Sequence, residues 1–172
     1  MSVSARSDLV LLQQLYRYWT ELRGVRLMPS RGEIDLVHLR GLLPKLMIID
    51  VVGSAERPQF RYAMLGTDLL ARLGRDVTGK CADEVLEGHH RKFMLDLYSE
   101  PVRTKGPAMA ASEYISKNEV AFTCQRLVLP LSADGVTVTQ LLGMQIFLPG
   151  APGTTKLEFR DNTIRDVRLQ VA

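Results

Sequence analysis

The chain is poor in reactive chemistry. It holds two cysteines, Cys81 and Cys124, in 172 residues. They are too few and too far apart for a disulfide framework or a thiolate metal site, so a reducing cytoplasmic setting is expected. No run approaches the ~18 consecutive apolar residues of a membrane-spanning helix. The opening segment MSVSARSDLVLLQQLYRYW has a short apolar stretch, but Gln13 and Gln14 interrupt it and no small-residue cleavage site follows. It does not read as a signal peptide. Neither sign of charge dominates, with 22 Lys and Arg against 19 Asp and Glu. The nearest approach to a basic cluster, Arg17, Arg23, Arg26 and Arg31, is broken up by apolar residues, so nucleic-acid binding is not expected. HExxH, GxSxG, GxxxxGK[ST] and GxGxxG are all absent, which leaves no motif for metalloprotease, hydrolase, P-loop or dinucleotide chemistry.

What is present is the material of an ordinary globular domain, 46% hydrophobic and 24% charged. A chain of this length reads as one domain with a sizeable core. Residues 8–23 read as a helix, with Leu11, Leu15, Tyr18 and Leu22 on one stripe and Leu12 and Trp19 widening it. That stripe can pack on its own domain or against a second copy. Ser30 and Glu33 have capping-box spacing, and a helix is expected from Gly32 to Leu43, ending before Pro44. KLMIIDVV and QFRYAML read as strands joined by the turn GSAERP, and their short link predicts an antiparallel hairpin. Thr67 is placed to cap a short helix that Gly74 ends, and GRDVTGK is a loop. CADEVL offers one helical turn. HHRKFMLDLYSEPVRTKG carries Phe93, Met94, Leu97 and Tyr98 at helical spacing and should end or kink at Pro101. AMAASEYI, EVAFTCQRLVLPL and VTVTQLLGMQIFL read as three further strands, with turns at Lys117-Asn118 and Ala133 to Gly135.

Two strands, a cluster of short helices with one longer helix, then three strands is an α+β order: a five-stranded antiparallel sheet with helices on one face. RYWTELRG, MPSRGEIDLVHLRGLLPKL and FRYAMLGTDLLARLGRDVTGK together resemble the PAS family, and within it a bacterial subfamily of single-PAS-domain proteins. The resemblance covers about residues 14–149. It divides the chain into an N-terminal helix and connection (1–30), a PAS-like domain (31–149) and a C-terminal tail (150–172).

The resemblance implies a sensory or regulatory module that holds a small ligand between sheet and helices, or uses the same parts to bind protein. It also implies a homodimer through the N-terminal helix, with Leu11, Leu15, Tyr18, Trp19 and Leu22 as interface candidates. The chain shows no attached output segment, so output is expected through a separate partner protein. If alternation orients the strands, Met47, Ile49, Tyr62, Met64, Leu142, Met144 and Ile146 point toward the helices, and Leu69, Leu73, Phe93 and Leu97 face them. These line the expected pocket for an apolar or amphipathic ligand, and each also reads as plain core.

In haem-binding PAS sensors a histidine on the long helix ligates iron. Here His89 and His90 open that helix, at most one can point inward, and both read as surface residues. His38 reads as a partly exposed helix residue. Flavin-binding light sensors of the class carry cysteine in a GRNCRFLQ-like motif. GKCADEV has Cys81 one position early and lacks the phenylalanine, leucine and glutamine. Neither haem nor flavin is expected, nor a metal. Two alternatives stay open: a ligand-free adaptor that localises or regulates a partner, and a small enzyme using Asp83, Glu84 and Glu87.

Overall fold

The computed structural model describes residues 3–54, 56–115 and 121–149. The expected turn at Lys117-Asn118 and the tail from 150 onward lie outside the described residues. Helix α1 spans Val3–Arg23. Two short 3-10 turns, Arg31–Glu33 and Leu43–Lys45, follow it. Strands β1 (Leu46–Ser54) and β2 (Arg57–Leu65) form the expected hairpin. Helices α2 (Thr67–Leu73), α3 (Ala82–Val85) and α4 (Gly88–Thr104) come next, then β3 (Ala108–Ile115), β4 (Ala121–Leu131) and β5 (Gln140–Pro149). The five strands make one antiparallel sheet in the order β2-β1-β5-β4-β3.

Three local expectations are corrected. Residues 32–43 do not form a regular helix but two 3-10 turns with hydrogen-bonded turns between them. The capping box does form, with the Ser30 N–H donating to Glu33 Oε2 at 2.7 Å, but the same carboxylate also accepts Arg26. Gly32 and Gly41 weaken any longer helix. Helix α2 is capped at Gly66 rather than Thr67. Helix α4 runs through Pro101 to Thr104, ending at Lys105 in the left-handed region (φ +56°). Pro101 is buried, so the turn lacking one backbone donor is held by packing.

Both faces of the sheet are covered. The helical face carries Met47, Ile49, Phe60 and Tyr62, and α4 closes on it: the Phe60 and Tyr98 rings lie 5.5 Å apart and the Tyr98 hydroxyl donates to Met47 Sδ at 3.7 Å. The outer face is covered by α1, which packs on β4 and β5. Leu12, Leu15 and Trp19 are buried there, and the Trp19 Nε1–H donates to the Pro130 carbonyl at 2.9 Å. The glycine-bounded loop has a structural task. The Gly79 N–H donates to the Tyr62 carbonyl and the Tyr62 N–H donates to Lys80, while Arg61 bridges Cys81. This segment therefore covers the free edge of β2, which would otherwise expose unpaired backbone groups. Gly79 sits at φ +84°, where a side chain would strain the bend.

Candidate functional site

Strand register decides which side chains the helices see. In β1, Met47 and Ile49 lie opposite Gly143 and Leu141 of β5, while Leu46 and Ile48 lie opposite Met144 and Leu142. Leu142, Met144 and Ile146 therefore belong to the outer face under α1, not to the helical face expected of them. A strand buried on both sides carries large apolar residues at both parities, so its alternation does not say which side is which. Met64 is corrected for a different reason. The β1–β2 register shifts between Ile48 and Ile49, leaving Ala63 as the extra residue. That bulge turns Met64 to the Ile48 side and Leu65 to the Met47 side.

Of the other pocket candidates, the structure brings together Met47, Ile49, Tyr62, Leu69, Phe93 and Leu97, all buried in one core. Leu73 is exposed on α2. The α1 candidates are turned toward the protein itself. Leu15 and Trp19 are fully buried, and Leu11, Tyr18 and Leu22 pack half-buried against the core.

The helical face also holds residues that the sequence reading did not select. β4 and β3 place Cys124, Arg126, Ser112 and Ala110 on this side. Arg126 is 2% exposed, its Nη1–H donates to Ser112 Oγ at 2.6 Å, and its guanidinium lies 5.6 Å from the Phe93 ring centre. Four described groups feel its charge, Tyr62, Tyr98, Cys124 and His90, and each is neutral near pH 7. Burial pushes the Tyr62 phenol up, against the opposing Tyr98 hydroxyl and the Arg126 charge. Burial likewise pushes Tyr98 well above its ordinary value and Cys124 up to about 11. Burial, then the charge of Arg126, holds His90 down at about 4. His89 is exposed and His90 half-buried, so one histidine of the pair does turn inward. The signal for this cluster was in the sequence: an arginine in the middle of the apolar strand AFTCQRLVLPL, where a charge is seldom fully buried.

Other candidates carry structural duties. Glu84 Oε2 accepts the Cys81 N–H at 2.9 Å, so Cys81 marks the start of α3. Glu87 stands just ahead of α4. Among the described residues no group of three or more His, Cys, Asp or Glu could hold a metal ion. A half-open groove of about 350 Å³ lies elsewhere, between α1 and residues 38–42, where Tyr18 and His38 stack at 5.2 Å. His38 is exposed, but on a turn rather than a helix.

A PAS domain family model matches residues 9–146. The chain belongs to the PAS family. PAS domains are sensory modules, and the five-stranded antiparallel sheet with its helices is the arrangement expected of one. Among solved structures, the PAS domain resembles a light-oxygen-voltage domain studied with a flavin analogue, at 16% identity over 69% of this chain and 88% of that one, TM-score 0.47. A light-oxygen-voltage protein of Rhodobacter sphaeroides matches at 12% identity over 67% and 69%, TM-score 0.45. The PAS domain of an HTR-like protein from Haloarcula marismortui matches at 15% over 66% and 91%, TM-score 0.36. These likenesses are distant, and nothing of their chemistry passes to this PAS domain. No curated protein is significantly similar to it. Among the described residues no helix is long and apolar enough to cross a membrane.

Proposed function

We propose that this PAS domain is a cytoplasmic regulator that takes a small amphipathic ligand between its sheet and α4 and signals by contact with a separate protein. The observation that carries this is Arg126. Burying a guanidinium costs several kcal/mol (on the order of) before compensation, and a core that only had to fold would be served as well by an apolar residue. Its position is the one where a sensor needs chemistry, on the face that meets the long helix. A ligand that repacked α4 against Phe60, Met47 and Phe93 would shift an element held by tertiary contacts, which is how a bound molecule becomes a change of surface. Homodimerisation belongs to the proposal, on the outward side of α1, where Val10 is exposed.

A second reading, a ligand-free adaptor with a filled core, is favoured by the close packing of Met47, Ile49 and Leu97. Native mass spectrometry of freshly purified protein separates the two. A retained small-molecule mass is expected for the sensor. The bare chain mass, unchanged after exposure to cell extract, would remove that reading and leave the adaptor.

A further inference from the structure

We propose that the outer edge of β3 is a strand-addition surface, and that residues 156–160 of this chain occupy it as an added strand. The two edges of the sheet differ. At β2 the loop after α2 closes the edge: the Gly79 N–H donates to the Tyr62 carbonyl at 2.7 Å, and the Tyr62 N–H donates to the Lys80 carbonyl at 3.0 Å. Among the described residues the backbone of β3 pairs with β4 alone. In an antiparallel pair alternate residues turn their N–H and C=O away from the partner strand. β3 therefore carries a row of donors and acceptors that no described residue meets. The devices that usually guard such an edge are missing from it. AMAASEYI has no lysine, proline or glycine, and its register with β4 is unbroken from Ala108 to Ile115. Ala108, Ala110 and Ser112 are buried on the helical side and Ala111 is exposed, so little side-chain bulk stands beside this backbone.

What occupies the edge follows from where β5 ends. Pro149 lies opposite Phe122 of β4, and Phe122 lies opposite Tyr114 of β3. Strands lie ~4.8 Å apart, so the place beyond β3 is about 14 Å from the end of β5. The sequence continues GAPGTT, then KLEFR, then DN. Residues 150–155 are rich in turn formers and reach up to about 20 Å, enough to cross that distance. KLEFR alternates Leu157 and Phe159 with Lys156, Glu158 and Arg160, a period of two bounded by turn residues on both sides. β3 and β5 run the same way, because each is antiparallel to β4. A chain returning from the end of β5 therefore meets β3 antiparallel, starting at its Tyr114 end. So short a tether holds the segment at an effective concentration on the order of 1 mM, which a second copy at micromolar concentration does not reach. A partner protein that adds its own strand here has to displace residues 156–160. None of this depends on a ligand between sheet and α4.

NMR on the whole chain tests this, by amide hydrogen exchange and by cross-strand Hα–Hα contacts. In the wild type, amides of both parities from Ala110 to Tyr114 should be protected, and residues 156–160 should show Hα–Hα contacts to them. Glu158→Pro combined with Phe159→Pro keeps the chain length and removes a donor at each parity. In that variant every second amide from Ala110 to Tyr114 should exchange about ten-fold or more faster, while those bonded to β4 stay protected. Arg168→Pro combined with Leu169→Pro, in the later alternating stretch VRLQV, should leave all of them protected. Outward amides that exchange freely in the wild type would overturn the proposal, and so would protection that survives the prolines at 158 and 159. Protection that rises with protein concentration would give the edge to a second copy and overturn it as well. Protection lost only in the Arg168 and Leu169 variant would move the pairing to VRLQV and sink the assignment to 156–160. If the variants do not fold, the wild-type Hα–Hα contacts decide: their presence supports the added strand and their absence removes it. Each negative result leaves ligand retention, and with it the sensor reading, untouched.

Discussion

The two faces of one sheet teach different lessons. The outer face, under α1, is hydrocarbon almost throughout: Leu46, Ile48, Leu127, Leu129, Leu142, Met144 and Ile146 are all buried, with Trp19 anchored over them. The helical face is equally dry but chemically mixed, with Tyr62, Tyr98, Ser112, Cys124 and Arg126 set among Met47, Ile49 and Phe60. The first arrangement is what burial alone would select, because apolar area removed from water stabilises in proportion to area. The second includes groups whose burial is costly unless they are bonded, a cost that hydrocarbon at the same positions would not carry. The outer face is thus built to hold the fold, and the helical face to do something with it.

The sharpest way to break that contrast is one substitution on each side. Trp19→Ala opens the outer face and strips the Pro130 carbonyl of its donor. It should lower stability by about 3–5 kcal/mol in urea unfolding. Arg126→Met on the helical face should change stability by less than about 1 kcal/mol, because an apolar chain replaces a buried charge at little net loss. Comparable losses for the two would show that Arg126 is structural and would abolish the contrast.

A smaller effect tests the assignment of side chains to faces. A Cβ on Gly143 would come within 2.7 Å of Met47 Cγ. Met47 is itself wedged beneath the Tyr98 hydroxyl, so it has little room to give. Gly143→Ala should cost about 2 kcal/mol by overpacking, and much less in a Met47→Ala background. A strictly additive double mutant would mean that the two side chains do not meet.

These faces also mark how far the sequence could be read. The order of elements was legible because QFRYAML alternates, the α4 segment has helical spacing, and Gly74 and Ala133 to Gly135 punctuate the chain. The depth of Trp19 was half legible, since the stripe on α1 was plain but its target was not. A helix stripe looks the same whether its own sheet or a second copy covers it. Parity in β5 was not legible, because LLGMQIFL carries large apolar residues at both parities, and the bulge at Ala63 has no sequence mark. Arg126 was legible in principle. It needed the question of why a charge stands inside a run of valine and leucine.

The next test is one of pH. His90 has its folded pKa near 4, below its ordinary 6.5, first because of burial and then because of Arg126. A folded pKa below the unfolded one means that the contribution is complete above about pH 6.5 and is lost as pH falls toward 4. That loss should be on the order of 1–2 kcal/mol, allowing for the partial exposure of the ring. His90→Gln should flatten this part of the stability profile. Among the described residues the outer face has no buried histidine, and it predicts no slope of its own between those limits. A profile identical in both proteins would put His90 in the same environment folded and unfolded, and so away from Arg126.

The smallest effect is expected where the outer face stops being apolar. Asp50 shares the parity of Leu46 and Ile48, but it accepts Arg61 Nη2–H at 2.9 Å and Gln140 Nε2–H at 2.7 Å. Burial works against its charge, yet the bonds from Gln140 and Arg61 prevail and hold its pKa below the ordinary carboxylate range. The pair with Arg61 is partly exposed, and such pairs are worth about 0–1 kcal/mol. Asp50→Asn keeps the acceptor toward Gln140 and loses the charge, so stability at neutral pH should fall by less than about 1 kcal/mol. Because the folded pKa is depressed, the difference between the two proteins should vanish as pH falls below about 4. A loss rivalling that of Trp19→Ala would mean that the polar end of the outer face, rather than its hydrocarbon centre, holds α1 and the sheet together.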